Sequence, residues 1–92
     1  MIEITNRRLS PPTQRDYQHI THLRWFERGT TRADSWTRKQ MVEWIDGGGR
    51  AVVRGQYGDV DVITVHPLAG EDFVRTETNG TPTDNLLNLP SF

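Results

Sequence analysis

Trp36-Thr37-Arg38-Lys39-Gln40-Met41-Val42-Glu43-Trp44-Ile45-Asp46-Gly47-Gly48-Gly49 decides the fold. Thr37 with Gln40 three residues on has the spacing of a capping box, and Trp36 with Met41 that of the hydrophobic staple flanking one. Met41, Val42, Trp44 and Ile45 form an apolar stripe at helical spacing. Gly47 is expected to end the helix as a left-handed residue, and the glycine run forbids continuation. The pattern predicts one helix over about residues 37–46, apolar on one side.

Outward toward the N-terminus, Ile2-Glu3-Ile4-Thr5 alternates as a strand does, and Ser10-Pro11-Pro12-Thr13 breaks it. Tyr17 to Phe26 is β-prone with a faulty alternation. Leu23 and Trp25 share one face while Ile20 and Phe26 share the other, so either both faces are partly covered or a bulge shifts the phase. Gly29 to Asp34 reads as a turn. Beyond the helix, Arg50–Arg54 and Asp59–His66 flank Gly55-Gln56-Tyr57-Gly58, a hairpin signal. Phe73–Glu77 is a further strand, closed by Asn79-Gly80. Asp84-Asn85 is expected to cap a last turn that lays Leu86, Leu87 and Leu89 against the sheet. The order is β-β-α-β-β-β plus a C-terminal helical turn. It is an α+β fold with a small antiparallel sheet of about five strands and one helix on one face. One domain spans 1–92, with an N-terminal strand and Pro-containing loop at 1–16 and the core at 17–90.

Composition bounds the chemistry. Ninety-two residues bury only about 60–65% of the unfolded surface, leaving little room for a deep catalytic cavity. The chain has no cysteine, which excludes disulfides and thiol chemistry and favours a reducing cytosol. Mean hydropathy is −0.68, and no apolar run approaches the roughly 20 residues of a membrane span. The N-terminus has no signal-peptide pattern, so a cytoplasmic protein is expected. Net charge is −1, yet residues 1–50 carry nine Lys/Arg against six Asp/Glu and residues 51–92 two against six.

Several constellations invite a function. Arg38 and Lys39 open the helix while Glu43 and Asp46 close it, both against the macrodipole. Arg38 and Lys39 at a helix N-terminus suit a phosphate or carboxylate; solvated side chains are the plainer reading. Arg24-Trp25-Phe26-Glu27-Arg28 interleaves bases and aromatics as nucleic-acid readers do, although a pI near 6.3 argues against a general binder. His19 and His22 are three apart, which on a strand sends them to opposite faces, and no metal motif accompanies them or His66. Asp59 and Asp61 share a strand face, too little for acid–base work. The glycine run lacks the Lys-Ser/Thr of a phosphate loop. Nothing calls for a cofactor or names a catalytic residue.

His19-Ile20-Thr21-His22-Leu23, Trp36 with the helix through Trp44-Ile45, Val60-Asp61-Val62, and Phe73-Val74-Arg75-Thr76 running into Asn79-Gly80-Thr81 and Asp84-Asn85-Leu86-Leu87-Asn88-Leu89-Pro90 resemble the small bacterial family catalogued as domain of unknown function 3892. The resemblance implies a compact α+β domain and supplies no reaction, cofactor or site residue. Family members often have acidic residues early in the helix, where this chain has Arg38-Lys39. The expectation is therefore a non-enzymatic interaction module that self-associates as a homodimer or binds another protein. One helix leaves a sheet face bare, and three tryptophans are many for so small a core. The alternatives are a nucleic-acid-associated accessory protein using the Arg-rich half, and a small-anion binder at Thr37–Gln40.

Overall fold

A computed structural model describes residues 1–55, 58–77 and 86–92. Among them are β1 (Ile2–Leu9), β2 (Ile20–Glu27), β3 (Ala33–Thr37), α1 (Arg38–Asp46), β4 (Ala51–Gly55), β5 (Gly58–Val65) and β6 (Phe73–Thr76), with a 3₁₀ turn at Tyr17–His19. The strands make one sheet in the order β3-β2-β1-β4-β5-β6. The α+β class and the helix on one face are as expected, but the described residues hold six strands. The sixth is β3, which follows the Gly29 turn and lies at an edge. Of its residues only Trp36 is half-buried, so the segment lacks the apolar alternation by which strands are recognised.

The sheet is not wholly antiparallel. β1 meets β4 in parallel at Ile2↔Ala51 and Glu3↔Val52. The reason lies in the helix. A crossover through α1 brings the chain back to start β4 in the direction of β1, as parallel neighbours require. Farther along β1, the C-terminal segment takes over that side. Arg7 N–H donates to Pro90 O at 3.1 Å, and Arg7 bridges to Ser91.

Two register shifts resolve the faulty alternation. Thr5 is extra in β1 and Thr21 is extra in β2. The first turns Arg7 and Leu9 to the side of Ile2 and Ile4. The second puts Ile20 with Leu23 and Trp25, and all three join the main core. The bulge reading of β2 therefore holds. β1, bordered on both sides, contributes Ile2, Ile4 and Leu9 to that core.

The sheet curls. α1 packs on β2, β3, β5 and β6, and the 3₁₀ turn before β2 touches β6. A helix about 10–12 Å wide cannot reach both edges of a flat six-stranded sheet, whose five spacings of about 4.8 Å span roughly 24 Å. The concave side holds Met41 and Val42 of α1 with Val53, Val62, Val74, Leu86 and Leu87. Tyr17 Oη sits 3.1 Å from Thr76 Oγ1 across the closing gap.

The helix starts as expected. Thr37 is the N-cap, and both bonds of the capping box with Gln40 are present. Its end differs from expectation. Gly47 has φ −76° and is the C-cap, while Gly48, at φ +104°, takes the left-handed position. Gly48 N–H donates to Ile45 O and Gly49 N–H to Trp44 O, each at 3.0 Å, which is the Schellman arrangement. Trp44 then folds over Gly49, where an added Cβ would lie 2.4 Å from the ring. Trp36 bridges Trp25 at 4.5 Å and Trp44 at 5.8 Å between centroids. The three tryptophans thus have a packing role within one chain and do not by themselves call for a partner. Leu86 and Leu87 are buried and Leu89 is packed against the core, with Leu89 N–H turned back to Leu86 O. The expected turn at Asn79-Gly80 and the cap at Asp84 lie outside the described residues.

Candidate functional site

Three surfaces are open to a functional reading. The first is the strap, residues 66–72, which joins β5 to β6 and runs along α1. Arg38, in the first turn of α1, bonds Glu71 of the strap and the carbonyl of Gln18. At the other end of α1, Asp46 accepts from Thr64 Oγ1 at 2.7 Å and lies 3.1 Å from His66 Nε2. His66 Nδ1 is 3.0 Å from Asp72. Arg38 and Asp46, two of the four charges placed against the helix dipole, therefore have counterions on the strap. A cavity of about 450 Å³ opens between them, lined by Lys39, Val42, Glu43, Asp46, Glu71 and Asp72, with Gly70 beside them. Thr64 first, then His66, holds the Asp46 carboxyl below the usual carboxylate range. Asp72, then Asp46, pushes the His66 imidazole above its ordinary value.

The second surface is an ion lattice on the convex side. Arg28 donates through Nε and Nη2 to Glu3 at 3.0 and 2.8 Å, and through Nη1 and Nη2 to Asp59 at 2.6 and 2.7 Å. Arg54 stands 3.8 Å from Glu3, and Arg50 bonds Asp61 at 3.0 Å. Val52 lies between Glu3 and Asp61 in register and is fully buried though outside the main core. Long Arg side chains cover apolar surface in this way while their heads stay wet. Fork-to-fork pairing with Asp59 ties the β2–β3 turn to the β4–β5 hairpin across β1. Asp59 is held low chiefly by its bond to Arg28.

The third is an apolar strip on the convex side of β5 and β6. Val65 and Phe73 are register partners, and Ile63 lies two residues from Val65 on the same face. Ile63 is 38% exposed, and Val65 and Phe73 are half-buried. Leu68, in the strap, is fully exposed.

The residues suggested for anion or nucleic-acid contact are not brought together. Trp25 is 1% exposed and packed against Trp36 at a tilt of 53°, so its ring offers no face to a base. Arg28 belongs to the lattice and Arg38 to the strap. Arg24 and Arg8 lie over the ring of Phe92, at 4.7 and 4.6 Å. Lys39 lines the strap cavity. All ten arginines have a partner in the chain. Arg15 reaches Asn88 Oδ1 at 2.9 Å, Arg32 pairs with Glu27, and Arg75 lies over Tyr17. Arg7, 8% exposed, donates to Leu87 O through Nε and Nη2 at 3.1 and 2.7 Å and to Ser91 Oγ at 2.8 Å. The histidines also have separate partners. His19 joins Asp16, the N-cap of its 3₁₀ turn, and His22 lies 3.0 Å from Thr21 Oγ1. Among the described residues no group of three His, Asp or Glu is arranged to hold a metal. No described helix is long and apolar enough to cross a membrane.

Sequence reasoning missed the inward Arg7 and the His66 joint. The signal for the second was present: acids at a helix C-terminus and bases at its N-terminus need counterions, and the strap sequence has both an acid pair and a histidine.

A family model, described as Protein of unknown function (DUF3892), matches residues 3–90. The chain belongs to that family. No curated protein and no solved structure matches it.

Proposed function

We propose that this member of the DUF3892 family is a non-enzymatic interaction module that self-associates through the convex face of β5 and β6. The observation that carries the reading is the strip of Ile63, Val65 and Phe73. It lies on the face of β5 and β6 turned away from α1. A two-fold pairing would set each strip on its copy, the commonest route to a closed dimer. The alternative of pairing β3 edge to edge has less support. Ser35 N–H is taken by Asp34 Oδ1 at 2.7 Å and Thr37 N–H by Gln40 Oε1 at 2.9 Å, which withholds donors that an incoming strand needs.

The nucleic-acid and small-anion readings are also less well supported, since Arg24, Arg28 and Arg38 are engaged within the chain. A non-enzymatic role agrees with polar clusters that neutralise one another. Sedimentation equilibrium tests the proposal. The protein is expected to dimerise with rising concentration, and Ile63→Glu, at an already exposed position, to stay monomeric with an unchanged circular dichroism spectrum. A wild-type protein that remains monomeric at millimolar concentration would remove this reading.

A further inference from the structure

His66 faces a carboxylate on each side of its ring. Asp46 of α1 lies 3.1 Å from Nε2, and Asp72 of the strap lies 3.0 Å from Nδ1. A neutral imidazole has one N–H and one lone pair, so one of its nitrogens would set a lone pair against carboxylate oxygen. Only the imidazolium donates on both sides. The ring is therefore the joint through which the strap is attached to the last residue of α1. At the far end of the strap, Glu71 is held by Arg38, a guanidinium that stays charged throughout the accessible pH range. The attachment at Arg38 does not depend on the state of the ring, and the other does.

We propose that His66 is a pH-operated latch: as imidazolium it ties Asp72 of the strap to Asp46 at the C-terminal end of α1, and on losing its proton it keeps only one of the two carboxylates and lets the strap move over the cavity that Val42 lines. The groups facing the joint are Asp46 from α1, Asp72 from the strap, and the uncharged Thr64 hydroxyl of β5 that fixes Asp46. Glu43 and Lys39 line the same cavity from α1, and Glu71 lines it from the strap. Glu43 adds negative charge that favours the imidazolium, while Lys39 opposes it. The direction of the titration follows. The His66 pKa is raised above 6.5 by Asp72 and then Asp46. The latch is fully closed below that value and released as pH climbs through the folded-state pKa. Asp46 is lowered from 3.8, so its part holds above that value and is lost as acid titrates it below. The closed window lies between these limits. Because the ring is half exposed, local opening of the strap is the expected readout rather than global unfolding.

Two measurements on the whole chain test the latch. An NMR titration is expected to show His66 changing charge above its ordinary value, with the midpoint moving down in Asp72→Asn. The heteronuclear NOE of the amides at residues 68–72 is expected to fall as pH rises through that midpoint. In His66→Gln, that NOE is expected to be low and independent of pH. A His66 midpoint at or below its ordinary value would overturn the proposal. A heteronuclear NOE at 68–72 that does not change across the titration would overturn it equally.

Discussion

Arg7 shows how one charged side chain can organise a small core. The bulge at Thr5 turns it inward, and its guanidinium then meets the carbonyl of Leu87 and the hydroxyl of Ser91. Burial, and then the charge of Arg15, lower its pKa, but a guanidinium remains protonated. Its fork supplies the donors that the closing turn needs, in a geometry that an ammonium cannot copy. Arg7→Lys is expected to cost about 1.5–3 kcal/mol, the range for a hydrogen bond to a charged group, measured by urea denaturation. A loss within a few tenths of that of the exposed Arg54→Lys would mean the fork has no special part.

The helix was the most legible element, because its signals are local. Thr37 and Gln40 are three residues apart, the glycines sit at its end, and the apolar stripe lies between. Its closing geometry was less legible. Which glycine takes positive φ depends on how Trp44 lies, and that depends on Trp36 in the neighbouring strand β3. Gly49 has no room for a side chain beneath that ring. Gly49→Ala is therefore expected to displace Trp44 from Trp36 and to destabilise by about 1–3 kcal/mol, the cost of overpacking. Near-ultraviolet circular dichroism would show the tryptophan contact weakened, and an unchanged spectrum with an unchanged Tm would count against this packing. β3 was not legible for the opposite reason. An edge strand needs only one neighbour and little burial, so its residues carry no apolar period.

At the scale of the molecule, the C-terminal leucines seal a curled sheet. Leu86 is fully buried, and Leu86→Ala is expected to cost roughly 2–5 kcal/mol through lost transfer energy and a residual cavity. A melting temperature equal to that of the parent would contradict its place in the core. Their burial was readable from composition and position. The curl was not, since it rests on two bulges, a parallel junction and a helix touching both ends of the sheet. The candidate surfaces were hardly readable at all. Arginines that look free in a sequence find carboxylates, carbonyls and rings only once the sheet has formed, and the Arg-rich half then serves largely as internal cement.

The middle position of β1 has a consequence for biosynthesis. Ile2 and Glu3 wait for Ala51 and Val52, and Arg7 waits for Leu87, across a separation of 80 residues. A nascent chain leaving the ribosome therefore carries the Arg7 part of that flank bare until residue 87 has been translated. Distant pairings of this kind slow folding and expose apolar edges on the way. A chaperone at the exit of the ribosome would meet that open flank before residues 86–92 arrive to cover it.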